Sequence, residues 1–115
     1  MQKENIIVSK TIAFSLDIIS YAELLEKKKK YVIARQLLKS EISIGANVHE
    51  VQNSESRADF IHKIKIAAKE VEETKYWLKL CKQADSYPFD KNLEVQINEI
   101  GLIIYKILSS SKKIQ

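Results

Sequence analysis

The chain has 115 residues, of which 45% are apolar and 30% charged, with two glycines and one proline. That length suits one domain with one core, and so few turn-forming residues point to long helices. A single cysteine excludes an internal disulfide, no apolar run reaches the roughly 18 residues of a membrane span, and a net charge of +4 permits an acidic or nucleic-acid partner without requiring one.

The opening "MQKENIIVSK" carries Glu4 and polar breaks where a signal peptide needs a continuous apolar stretch, so a cytoplasmic location is expected. A first helix is predicted over about residues 5–28, because Ile7, Phe14, Ile18, Tyr21 and Leu25 recur at three- and four-residue steps. The "KKKK" at 27–30 closes it: cations are favoured by the unpaired carbonyls at a helix C-terminus, although four adjacent lysines also repel one another. A second helix is predicted over about residues 32–51, with Ala34, Leu37, Leu38, Ile42, Gly45, Val48 and Val51 on a broad inward arc. A glycine in mid-helix costs roughly 1 kcal/mol relative to alanine. On that arc, the missing side chain of Gly45 suggests close approach by a neighbouring helix, so that Gly45→Leu would overpack the core.

"QNSESRAD" breaks the pattern, and Ser56 followed three residues later by Asp59 supplies a capping box for a third helix over about residues 56–84. Phe60, Ile64, Ala67, Val71, Thr74, Leu78 and Cys81 alternate steps of four and three, the seam of a helix packed in a bundle. "DSYPFD" ends it, since Pro88 disfavours helix in Tyr87. A fourth helix follows over about residues 91–110 on Leu93, Ile97, Ile100, Ile104 and Ile107. Short connections between long helices favour antiparallel neighbours, which makes the fold all-α, an up-down-up-down four-helix bundle in a single domain.

Two apolar stripes are left over. Ile66, Trp77 and Leu80 lie on a different side of the third helix from its seam, and Ile12, Leu16 and Ile19 form a second stripe on the first. Surplus contiguous stripes that include a tryptophan mark association surfaces, so a cyclic homo-oligomer is expected, with Glu70 and Glu73 beside Trp77 ready to meet lysines of a neighbouring copy. The alternative is a broad seam with ordinary scattered surface apolar groups.

Several stretches resemble the small four-helix-bundle proteins encoded within intervening sequences of bacterial 23S rRNA genes, also called S23 ribosomal proteins. They are "NII", "FS" and "DII" in the first helix, "RQLLKSEISIGANVHE" in the second, "SRADFIHKIKIAAKEVEETKYWLKL" in the third and "KILSSSKK" near the end. The resemblance implies a homopentamer of bundles around a central axis. It also implies kinship with the accessory variability protein of diversity-generating retroelements, which partners a reverse transcriptase and binds nucleic acid. It does not imply an enzyme, a cofactor or a small-molecule substrate. Glu41 stands where the family pattern carries a small residue.

Catalytic and metal chemistry find little support. Asp59 and His62 form half of a carboxylate-histidine metal motif at a helix start, and His49 lies near the same turn, but the remaining ligands of such a site are missing. Glu70, Glu72 and Glu73 have no nucleophile or oxyanion loop beside them and more simply pair with Lys69 and Lys75. Cys81 continues the core seam, and there is no glycine-rich phosphate loop. Asn47, with Ser40, Ser43 and Glu50, makes a polar strip that is either solvent-exposed or hydrogen-bonded between helices or subunits.

Antiparallel packing gathers Lys27, Lys28, Lys29, Lys30, Lys79, Lys82 and Lys91 at one end, opposed by Glu26, Asp85 and Asp90. A ring would repeat this patch on one rim, where it could hold an RNA or DNA backbone through counterion release without reading bases. Two functions therefore stand from the sequence: a nucleic-acid-binding or accessory scaffold, and a structural or protein-interaction oligomer that binds no nucleic acid.

Overall fold

Local signals end the first helix and start the third. The computed structural model describes residues 3–113, with side chains from residue 6 to residue 111. It comprises α1 (Lys3–Lys27), α2 (Tyr31–Glu50), a single 3₁₀ turn (Val51–Asn53), α3 (Arg57–Gln83) and α4 (Lys91–Lys113). The α1–α2 reversal is a Schellman turn: Lys30 N–H bonds Leu25 C=O at 2.8 Å, Lys29 N–H bonds Glu26 C=O at 2.9 Å, and Lys29 takes a left-handed φ of 65°. At the start of α3 the Ser56 hydroxyl accepts from Asp59 N–H at 3.0 Å, as the capping signal predicts, while the Asp59 carboxylate accepts from Glu55 N–H at 3.2 Å rather than from Ser56 itself. Pro88 lies in the α3–α4 loop, as expected from the helix break.

Sequence neighbours pack side by side: α1 on α2, α2 on α3, α3 on α4, and α4 closing the square against α1. The result is the antiparallel four-helix bundle predicted, about 47 Å long and 20–24 Å across. Its axis is filled by Phe14, Ile18, Leu25, Leu37, Ile44, Ile64, Leu78, Ile97, Ile100 and Ile104, all at most 2% exposed. Removing each such side chain from water contributes roughly 1.5–3 kcal/mol, which holds helices that would be marginal in isolation. No helix among the described residues is long and apolar enough to cross a membrane.

The inward face of α2 departs from the sequence reading. Ala34, Leu37, Val48 and Val51 are buried as expected, but Ser40, Glu41 and Ile44 complete the face, while Ile42 is 49% exposed and Leu38 and Gly45 are half-buried at its edge. The helix is turned so that polar side chains meet partners. Ser40 Oγ and Thr74 Oγ1 share a buried hydrogen bond of 2.9 Å between α2 and α3, and Ser15 Oγ donates to Glu41 Oε2 at 2.7 Å between α1 and α2. Of the two alternatives left open for the polar strip, Ser40 takes the hydrogen bond between helices. Asn47 instead turns back to the Ser43 carbonyl at 2.9 Å, and Glu50 faces solvent.

The close-packing assignment of Gly45 is also corrected. A Cβ built on Gly45 would meet Ser15 Oγ at 3.5 Å and Thr11 Cβ at 4.0 Å, ordinary contact distances, because the residue lies beside a surface groove rather than on the inward face. The glycine that admits a close neighbour is Gly101 on α4, where a Cβ would lie 3.1 Å from Val71 Cγ1 of α3.

Candidate association surfaces and a basic end

The larger apolar surface straddles α1 and α2. Ile12 and Leu16, 55% and 61% exposed, stand beside Ile42 and Ala46, and together they line a groove whose floor includes Ser15 and Gly45 and whose margin includes His49. Ile19 continues the same stripe toward the α1 C-terminus and is also exposed. Ile42 is the member that sequence reasoning missed, because an isoleucine flanked by inward-looking apolar residues was assigned to the core. The signal that identifies it is polar pairing: once Glu41 and Ser40 face inward, Ile42 must face out.

The surface on α3 is smaller than its sequence suggests. Ile66 and Trp77 are half-buried, and the Trp77 ring packs against the core of its own subunit. Its indole N–H donates to Glu73 Oε2 at 3.4 Å, and its ring meets that of Tyr76 edge-on at 5.2 Å. Tyr76, at 56% exposure, and Leu80 supply the outward apolar area, while Glu70 is half-buried alongside. Ile66, Glu70, Glu73, Trp77 and Leu80 share one flank of α3 by their three- and four-residue spacing. That flank and the α1–α2 groove are two different surfaces of one subunit.

The lysine-rich end forms as the topology requires. Tyr21 of α1 donates its phenol to the Pro88 carbonyl at 2.6 Å, and the Lys30 ammonium lies 5.0 Å above the Tyr87 ring, so the α1–α2 turn and the α3–α4 loop sit together. Burial and the nearby Cys81 and Tyr87 raise the Tyr21 pKa, keeping the phenol neutral as a donor. Lys27, Lys28, Lys29, Lys79 and Lys91 are exposed. Lys82 is less available than its position suggests, because its ammonium pairs with Glu94 Oε1 at 3.0 Å.

Among the remaining polar candidates, Asp59 and Glu72 have structural partners. Asp59 pairs with Lys63 at 2.8 Å, and this hydrogen bond, with that from Glu55 N–H, holds the carboxyl below its ordinary pKa. Among the described residues no group of three His, Cys, Asp or Glu side chains is placed to hold a metal ion. Glu72 pairs with Lys75 at 3.5 Å, one of the ion pairs expected for that acidic cluster. Cys81 is buried, and desolvation raises its thiol pKa, the opposite of what a reactive thiolate needs.

Glu41 is the most unusual polar side chain. It is 0% exposed, Oε2 is satisfied by Ser15, and among the described residues Oε1 has no hydrogen-bond partner. Desolvation pushes its carboxyl up to about 7, with the Ser15 hydrogen bond acting in the opposite sense.

Comparison with known proteins agrees with this architecture. No curated protein matches the chain. A crystal structure of a protein of unknown function from the S23 ribosomal protein family of Bacteroides thetaiotaomicron superposes with a TM-score of 0.87 at 33% sequence identity, covering 94% of this chain and 99% of that one. The model of the 23S rRNA-intervening sequence protein family matches residues 3–106, from the first described turn of α1 into the second half of α4. With the match reaching into all four helices, the chain belongs to the 23S rRNA-intervening sequence protein family.

Proposed function

We propose that this protein is a non-enzymatic, ring-forming scaffold whose repeated basic end engages the phosphate backbone of nucleic acid. The observation that carries the self-association is the presence of two distinct apolar surfaces, the Ile12–Leu16–Ile42 groove and the Tyr76–Leu80 flank of α3. Two different patches favour a heterologous, head-to-tail contact, and such contacts close into rings when the rotation permits. Family resemblance makes five copies the expected number.

For nucleic acid the support is the clustering of exposed Lys27, Lys28, Lys29, Lys79 and Lys91 at one end, which a ring would multiply on one rim. The Lys82–Glu94 ion pair and the Lys30–Tyr87 contact favour a second reading, a protein-interaction oligomer that binds no nucleic acid, because they engage part of the same charge within the subunit. A polarisation titration with RNA and DNA across a salt series tests the choice. Binding that weakens steeply with salt and is lost when Lys27–Lys30 become alanine supports the scaffold reading; absent or salt-insensitive binding supports the alternative.

A further inference from the structure

Glu41 is buried deep enough to disfavour its ionised form, yet the side chain that bonds it, Ser15, lines an open groove. Its Oε2 accepts from Ser15, and Ser15 Oγ lies 3.5 Å from the point a Cβ on Gly45 would occupy. Ser15 and Gly45 both line the open α1–α2 groove, and Gly45 lies one helical turn beyond Glu41. The carboxyl therefore sits beneath a thin floor made of a serine and a residue without a side chain. We propose that Glu41 is a proton-operated element of the α1–α2 seam: the seam packs dry around the neutral carboxyl, and proton loss draws water in through the floor at Ser15 and Gly45.

Among the described residues no neighbouring charge offers the ionised form compensation. On α1, Lys10 and Asp17 reach to Glu99 and Gln96 of α4 rather than toward Glu41. On α3, Lys75 pairs with Glu72 and lies 5.6 Å from the Tyr105 ring, Glu73 bonds Trp77, and the Thr74 hydroxyl is engaged with Ser40. On α2 itself His49 lines the same groove two turns farther along, and Lys39 faces solvent. An isolated carboxylate in that position either stays protonated or recruits water.

The direction follows by linkage. Between about 4.5 and about 7 the folded protein holds a proton that the unfolded chain has released, so Glu41 makes stability fall as pH rises through that window and adds nothing further above it. This device is independent of nucleic acid, and because its water route opens into the groove proposed above for self-association, it belongs to the free subunit, whose groove no neighbour covers.

The test is a carbon-detected titration of the Glu41 side-chain carboxyl in isotopically labelled protein, combined with amide hydrogen exchange. Expected are a midpoint near 7, and, relative to the intrinsic exchange rate at each pH, faster exchange at the amides around Ser15 and Gly45 over the same interval. The folding equilibrium constant relative to Glu41→Gln should fall on the order of 100-fold from about pH 5 to pH 8. A midpoint in the ordinary carboxylate range, unchanged exchange, or a Glu41→Gln variant that keeps the wild-type pH dependence would each overturn the proposal. Should Glu41→Gln fail to fold, the wild-type titration still decides, as does Gly45→Ala: thickening the floor must raise the midpoint, and a lowered or unmoved one counts against the mechanism.

Discussion

Gly101 brings the α4 backbone against Val71 of α3, close enough that a Cβ on the glycine would stand 3.1 Å from Val71 Cγ1. Val71 is fully buried and stiff about χ1, and the Lys75 side chain closes the other side at 3.5 Å. A large side chain cannot enter without separating the helices, so Gly101→Leu is expected to destabilise the bundle by about 2–3 kcal/mol in chemical denaturation. Gly45 gives the opposite expectation: Gly45→Ala keeps ordinary contacts and gains helix propensity, and should stabilise by about 0.5–1 kcal/mol. Equal effects at the two glycines would contradict the packing described.

Lys29 occupies the left-handed position of the Schellman turn, where glycine is the usual residue. Relieving the Cβ clash there should outweigh the added freedom of the unfolded chain. Lys29→Gly is therefore expected to raise stability by roughly 0.5–1 kcal/mol, read as a higher denaturation midpoint with an unchanged slope. A lower midpoint would show that the turn does not form as described.

Tyr21 ties the two turns of the basic end together through Pro88. Tyr21→Phe removes the donor and leaves the carbonyl without it, at a cost of about 1 kcal/mol. Because the bond is local, hydrogen exchange should accelerate at Asp85–Phe89 far more than in the centre of α2. Uniform acceleration throughout the molecule would argue against this tether.

How much of this was legible in the sequence depended on what set each feature. Helix ends were, because Ser56, Pro88 and the lysine run act through local backbone geometry. The α3 seam was, because Ile64, Ala67, Val71, Thr74, Leu78 and Cys81 form an uninterrupted helical stripe that is buried throughout. The rotation of α2 was not. Hydropathy alone puts Ile42 inside and Glu41 outside, and only partners on other helices, Ser15 for Glu41 and Thr74 for Ser40, reverse the choice. The basic end was legible as a cluster through topology, but the engagement of Lys82 by Glu94 needed the three-dimensional register of α3 and α4.

For the basic end, alanine at Lys27–Lys30 should lower nucleic-acid affinity similarly for all sequences and flatten the dependence of log affinity on log salt, since phosphate contacts carry no base information. Lys82→Ala should have a smaller effect than Lys79→Ala, because Lys82 is already paired within the subunit. A reversed order in the titration would mean that the Glu94 pair does not persist in solution.

Molecular mass in solution tests self-association most directly. At micromolar concentration, light scattering should give about five times the 13.3 kDa subunit mass, while Leu16→Asp and Leu80→Asp each give folded monomers. Mixed together, those two variants retain one intact groove and one intact α3 flank between them, so a one-to-one dimer should appear. A wild-type mass of one subunit, or a mixture that stays monomeric, would contradict the head-to-tail ring.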